Sequence, residues 1–372
     1  MTFLQKLVGC SLLPALVLMS NLASAADLSG YKVAAQPTPS PTPSDSALPG
    51  ALTGASATLP IGPRLQWNAN YGYCGEVSFI TAGLYYGQYC SQFTARALAS
   101  PGVLQSRQNS QLLLGVNDVK AAAAMHLAAT PWKAARGNTS KDFLNWVSAQ
   151  ILAGRPVAMG VYMNQYLFYR TTAGDPDYDH IVPVVAVSDI DLAANGTPIY
   201  DAASTLTLGD NGLWSLAANP PSFFEYVYGE FQLTRAQANL QSSPIYSVPA
   251  SVTNYGMAFT GVLDLNKDTV PVRVTTDVNS ETPAMKNGAT TAPAPSRVNL
   301  TITVTIPDQS VEYNVYRYSD FKNVPDSKFN ASVAKSTTHW RIPRNAGPTY
   351  VIRLAILSNE TAVFRAVRVT AP

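Results

Sequence analysis

Tyr73-Cys74-Gly75-Glu76-Val77-Ser78-Phe79-Ile80-Thr81-Ala82-Gly83-Leu84-Tyr85-Tyr86 is the stretch on which the reading of this chain turns. Its apolar positions Val77, Ile80 and Leu84 recur at steps of three and four, the period of a helix with one face on a core. Such a helix opens at Cys74, where backbone N–H groups and the positive end of the helix dipole point toward the sulfur. That placement lowers a thiol pKa from about 8.5 into the roughly 3.5–7.5 range of reactive cysteines. If the helix continues toward Cys90, a rise of ~1.5 Å per residue separates the two cysteines by roughly 20 Å. A disulfide needs Cα atoms within about 7 Å, so only a sharp reversal at Gly87 would join them. The sequence thus predicts a thiol at Cys74, with a buried cysteine packing as a small hydrophobe as the plainer alternative.

Few other reactive groups surround this stretch. The chain has 372 residues, 47% hydrophobic and 13% charged, with only three His and three Cys. An average globular protein carries about 25% charged residues. Lys and Arg number 25 against 23 Asp and Glu, so no strong field draws nucleic acid or an anionic membrane. High hydrophobicity with low net charge also excludes a disordered chain.

Before Cys74 the sequence has two segments. Residues 1–25 read as a signal peptide, with Lys6, an uncharged run from Leu7 to Leu22, and a small-residue cleavage site at Ala23-Ser24-Ala25. No other stretch reaches the ~18 apolar residues of a membrane span. The expectation is therefore a secreted protein, periplasmic if the source is Gram-negative, with no integral membrane segment after cleavage. Residues 26–63 read as a linker, with prolines at 37, 39, 41, 43, 49, 60 and 63 among Thr, Ser, Gly and Ala.

Beyond Cys74, residues 64–265 mix helix and strand. Helices are expected over Asn117–Ala128 and Ser140–Leu152, with strands over Val157–Met163, His180–Val187 and Thr205–Leu208. From 266 to 372 helical periodicity gives way to short β-branched runs. These are Val270–Thr275, Val298–Ile306, Tyr313–Tyr318, Tyr350–Leu357 and Thr361–Thr370. Their spacing predicts an all-β sandwich of immunoglobulin or fibronectin III kind.

Of the three histidines, His126 lies on an alanine-rich helical pattern and His339 belongs to the second region. His180 opens an apolar strand, where a ring is held rigidly and faces a cleft. Asp175, Asp177 and Asp179 lack the turn Gly and terminal Glu of a calcium loop, and no zinc spacing is present, so neither metal nor cofactor is expected. Asn138, Asn195, Asn299, Asn330 and Asn359 head glycosylation sequons, which matter only in a eukaryotic source.

Together, Trp67-Asn68-Ala69-Asn70-Tyr71-Gly72-Tyr73-Cys74-Gly75-Glu76-Val77-Ser78, Gly154-Arg155-Pro156-Val157 and Asp179-His180-Ile181-Val182-Pro183-Val184-Val185 resemble a papain-like cysteine peptidase. Within that superfamily they are most similar to the bacteriocin-leader-processing peptidases, over about residues 64–215. The resemblance implies an α+β papain-like catalytic domain. Cys74 would be the nucleophile and His180 the general base and then acid. Asp210, or Asn211, would orient the imidazole. The family's oxyanion-hole Gln stands about six residues before the Cys. Asn68 occupies that place here, and Gln66, the family's residue type, stands two residues earlier. Glu76 also departs from the family, and would either bind a cationic substrate group or pair with an Arg. The implied activity is hydrolysis of a peptide or amide bond through a thioester. Two other readings stay open: a thiol acyltransferase, and a non-catalytic cell-surface binding protein with a degenerate peptidase fold. Neither the substrate's identity nor the oligomeric state follows from the residues.

Overall fold

The helix at Cys74 forms as α1 (Cys74–Tyr85), with every residue from Cys74 to Gly83 buried. A helix covered on all sides is a central one, and α1 lies between the two halves of the molecule. The structure, a computed structural model, describes residues 54–163, 178–209, 211, 223–231, 246–248 and 254–369. Among these residues it is a mixed α+β fold of mostly antiparallel sheets and few helices. The expected signal peptide lies outside the described residues, as does the linker up to residue 53.

The other helices are α2 (Gln92–Ala99), α3 (Asp118–Ala124), α4 (Ser140–Leu152) and the single turn α5 (Tyr228–Phe231). In α4 the Thr139 N-cap and Asp142 form a reciprocal capping box, satisfying helix-end N–H groups. The helix expected over Asn117–Ala128 is shorter. His126 adopts a left-handed φ of 51°, which turns the chain into a strand at Leu127.

In the first half run β1 (Ala55–Thr58), β2 (Gln88–Tyr89), β3 (Leu127–Pro131), β4 (Val157–Met163), β5 (His180–Leu192) and β6 (Pro198–Ile199). They are followed by β7 (Thr205–Gly209), β8 (Phe223–Val227), β9 (Tyr246–Ser247) and β10 (Gly256–Val262). The first sheet has the order β3-β10-β4-β5-β7-β8, with β1 and β6 added to β5 and β9 to β4. Successive side chains of its central strands alternate between two cores. Ala158, Ile181, Met257 and Phe259 pack toward α1, while Val157, Met159, Val182 and Val184 pack toward α4.

The structure corrects the linker boundary. Residues 55–58 pair with β5, and Leu59 and Ile61 are buried in the core, so the end of the Pro-rich stretch belongs to the fold. The strand expected over His180–Val187 also runs on to Leu192, because beyond an irregularity at Asp189, with a left-handed φ of 56°, Ile190 pairs with β1 and Asp191 and Leu192 pair with β6.

In the second half are β11 (Thr269–Val270), β12 (Val272–Thr276), β13 (Arg297–Thr305), β14 (Tyr313–Tyr318), β15 (Thr338–Ile342), β16 (Thr349–Leu357) and β17 (Ala362–Arg368). One sheet has the order β11-β17-β14-β15 and another β12-β13-β16. Strand β13 buries alternate residues, Val298, Leu300, Ile302 and Val304, in a core shared with Val315, Phe364 and Ala366 of the other sheet.

The halves are not separated by a free linker. Strand β2, directly after α1, pairs with β17. Met285 packs with Trp67, Ala69 and Tyr73, just before Cys74. Arg365, on β17, donates to the Gln88 side chain at 3.0 Å.

Candidate active site

Cys74 is the first residue of α1 and His180 the first of β5. Two side chains tie these element starts together. The Ser78 hydroxyl lies 2.8 Å from the Cys74 carbonyl and 3.3 Å from that of Ile181. The Asn211 amide donates to the same two carbonyls, at 3.3 Å and 2.8 Å. Asn211 also lies beside the imidazole and favours its charged form.

Both expected reacting residues are buried, Cys74 at 2% exposure and His180 at 0%. The cleft-facing histidine expected from the sequence is thus enclosed, its ring 5.8 Å from that of Tyr246. Burial pushes the His180 pKa down to about 3, against a smaller upward pull from Asn211. The imidazole is therefore neutral at neutral pH, and in this enclosed state it is a weaker proton acceptor than a free imidazole.

The cysteines resolve in part as the helix geometry requires. Cys90 is free and buried, and burial pushes its thiol pKa far up, so Cys74 and Cys90 are not joined. Cys74 is nevertheless disulfide-bonded, which corrects the expectation of a thiol there.

Gln66 and Asn68 part company. Asn68 is exposed. Gln66 is buried; its Oε1 accepts the Tyr73 N–H at 3.0 Å, and its own N–H donates to the Asn211 carbonyl at 2.8 Å. The structure therefore gathers Cys74, His180, Gln66 and Asn211, and leaves Asn68 outside. Asp210 lies outside the described residues.

Glu76 forms an ion pair with Arg96, whose Nε lies 2.6 Å away with both side chains buried. Its carboxylate also accepts the Leu112 N–H at 3.1 Å, so it is fully committed within the protein. Gly75 serves the packing of the protein itself: a Cβ there would clash with the Leu112 carbonyl oxygen, so the close approach of that carbonyl requires glycine.

Arg96 is the residue the sequence did not single out. It donates to the carbonyls of Asn70 (2.8 Å) and Gly72, and stacks 3.6 Å above the Tyr73 ring. The turn it holds is strained, because Asn70, Tyr71 and Gly72 have φ of 47°, 69° and 81°. Non-glycine residues in that region cost on the order of 1 kcal/mol or more each, so surrounding bonds must enforce it. From the second half, Asn287 Oδ1 accepts the Asn70 N–H (3.0 Å) and the Gly288 N–H reaches Asn70 Oδ1 (2.6 Å). The one available signal was Glu76 itself, since a buried carboxylate requires a partner.

Among the described residues no helix is long and apolar enough to cross a membrane, and no group of three or more His, Cys, Asp or Glu could hold a metal ion. No protein-family model matches the chain, and no significant similarity links it to a curated protein or a solved structure.

Proposed function

We propose that the chain is a secreted thiol hydrolase that cleaves a peptide or amide bond, with a papain-like arrangement in its first half and a β-sandwich in its second. The observation that carries this reading is the docking of the Cys74 end of α1 on the His180 end of β5, bridged by Asn211. Cys74 is the nucleophile as a thiol, so the reading concerns the secreted chain without residues 1–25, in which Cys90 is the other cysteine and is not joined to it. Neutral His180 takes the thiol proton as the sulfur attacks the carbonyl carbon. The tetrahedral oxyanion is stabilised by the Cys74 backbone N–H and the Gln66 amide, which the Tyr73 contact orients. His180 then gives its proton to the leaving amine, and water resolves the thioester. Asn211 orients the imidazole; Asp210 remains its rival for that role.

The acyltransferase reading shares every step up to the thioester. Turnover of a peptide library by the reduced chain, with and without an added amine, separates the two. Free-acid products abolished by Cys74→Ala establish the hydrolase, and amine adducts establish the transferase. No turnover of any acyl donor leaves the non-catalytic binding reading.

A further inference from the structure

A second constellation of chemistry lies away from Cys74, at the junction of the two halves. A groove of about 470 Å³ opens between the end of α1, the turn before β4, the end of β10, and β11, β12 and β17. Arg155, Arg273 and Arg365 line it together with Tyr85 and Tyr86, and none of its lining residues is Asp or Glu. None of the three guanidiniums forms an ion pair among the described residues. Among the described residues Arg155 donates to the Gln150 side chain (3.2 Å), and Arg273 to the Tyr85 hydroxyl (3.4 Å), lying over that ring.

Arg365 is the unusual member. It is 1% exposed, and its neighbours are the carbonyls of Tyr86, Phe364 and His126 and the Gln88 amide, with Nε unpartnered. Burial lowers its pKa to about 10, with Tyr318 and Asp264 opposing the shift from a distance. A buried cation without a counter-ion is costly, and nearby negative charge offsets that cost. Arg155 and Arg273, both exposed, line the same groove as Tyr86, and their charges oppose the rise that burial and Tyr85 impose on its hydroxyl.

We propose that this groove binds a small oxyanion ligand, carrying phosphoryl or carboxylate groups, between Arg155 and Arg273 and in the field of buried Arg365. The volume falls within the roughly 300–1,000 Å³ of small-molecule sites, and paired guanidiniums match planar or tetrahedral oxyanions. Tyr85 and Tyr86 supply ring faces for the body of the ligand. Because elements of both halves form the walls, the bound anion also ties the halves together.

Calorimetric titration of the purified chain with pyrophosphate and, separately, citrate distinguishes phosphoryl from carboxylate ligands. At least one of them should bind, more weakly as salt rises. Arg155→Ala and Arg273→Ala should each weaken it about tenfold, the worth of one charge-assisted hydrogen bond. Both side chains are exposed, so both variants should keep the wild-type near-UV spectrum. Arg341→Ala, at an exposed ion pair with Glu312 elsewhere, should leave affinity unchanged. Absence of binding by either anion up to about 10 mM would overturn the proposal. So would equal affinity in wild type and the Arg155→Ala/Arg273→Ala double variant.

Discussion

His180 concentrates the chemistry of the site in one side chain. An imidazole held near pKa 3 inside the fold but near 6.5 in the unfolded chain is protonated mainly in the unfolded state between those values. The unfolded state then binds more protons, so folding stability falls as pH drops from about 6.5 toward 3. In full the effect is on the order of a few kcal/mol. Denaturant melts across that window should show a steeper acid loss in wild type than in His180→Gln. Equal slopes would mean that the ring is not held neutral. At this scale the sequence was informative where chemistry is local. Cys74 and His180 stand out by their positions at element starts. The choice between Gln66 and Asn68 did not, because it depends on how a loop with three left-handed residues is folded.

Among the elements, the turn before α1 depends on Arg96. Removing that side chain would leave Glu76 charged and buried without its partner and release the carbonyls of Asn70 and Gly72. Breaking a buried ion pair in this way costs about 3–5 kcal/mol. We expect Arg96→Met to lower unfolding free energy by that order in denaturant titration. Replacing Glu76 and Arg96 together by Gln and Met should recover part of the loss. Strongly periodic elements were legible in advance: α4 and β4 begin and end where their patterns do, and β14 matches its expected run. Strands β10 and β15 were not. One contains two glycines and the other a mostly exposed run with His339 and Arg341, so neither alternates clearly.

Across the whole molecule, the two halves are joined through buried polar contacts as well as apolar ones. Glu281 comes from the second half and is 3% exposed, accepting the Gln92 N–H at 2.7 Å with Arg64 3.9 Å away. Burial raises its pKa to about 8, although Arg64 and the Gln92 N–H pull downward. The folded state therefore holds a proton that the unfolded carboxylate has lost between about 4.5 and 8, and stability falls as pH rises through that window. Glu281→Gln should remove this slope and leave stability near pH 5 close to wild type. An unchanged slope in denaturant melts would place the titration elsewhere. This level of organisation was hidden from the sequence. Nothing local in Gln88-Tyr89 announces that it pairs with Ala362 and Val363, nor in Asn287 that it grips the loop before Cys74.

The central claim is that Cys74 and His180 work as a pair. The most direct test is the rate of alkylation of the reduced chain across pH, followed at each cysteine by peptide mapping. The account predicts that Cys74 is labelled faster than Cys90, although the two are equally buried. It also predicts that His180→Ala, with near-UV dichroism intact, slows Cys74 labelling near neutral pH by about tenfold or more. Equal, slow labelling of the two cysteines, or a Cys74 rate indifferent to His180, would contradict it.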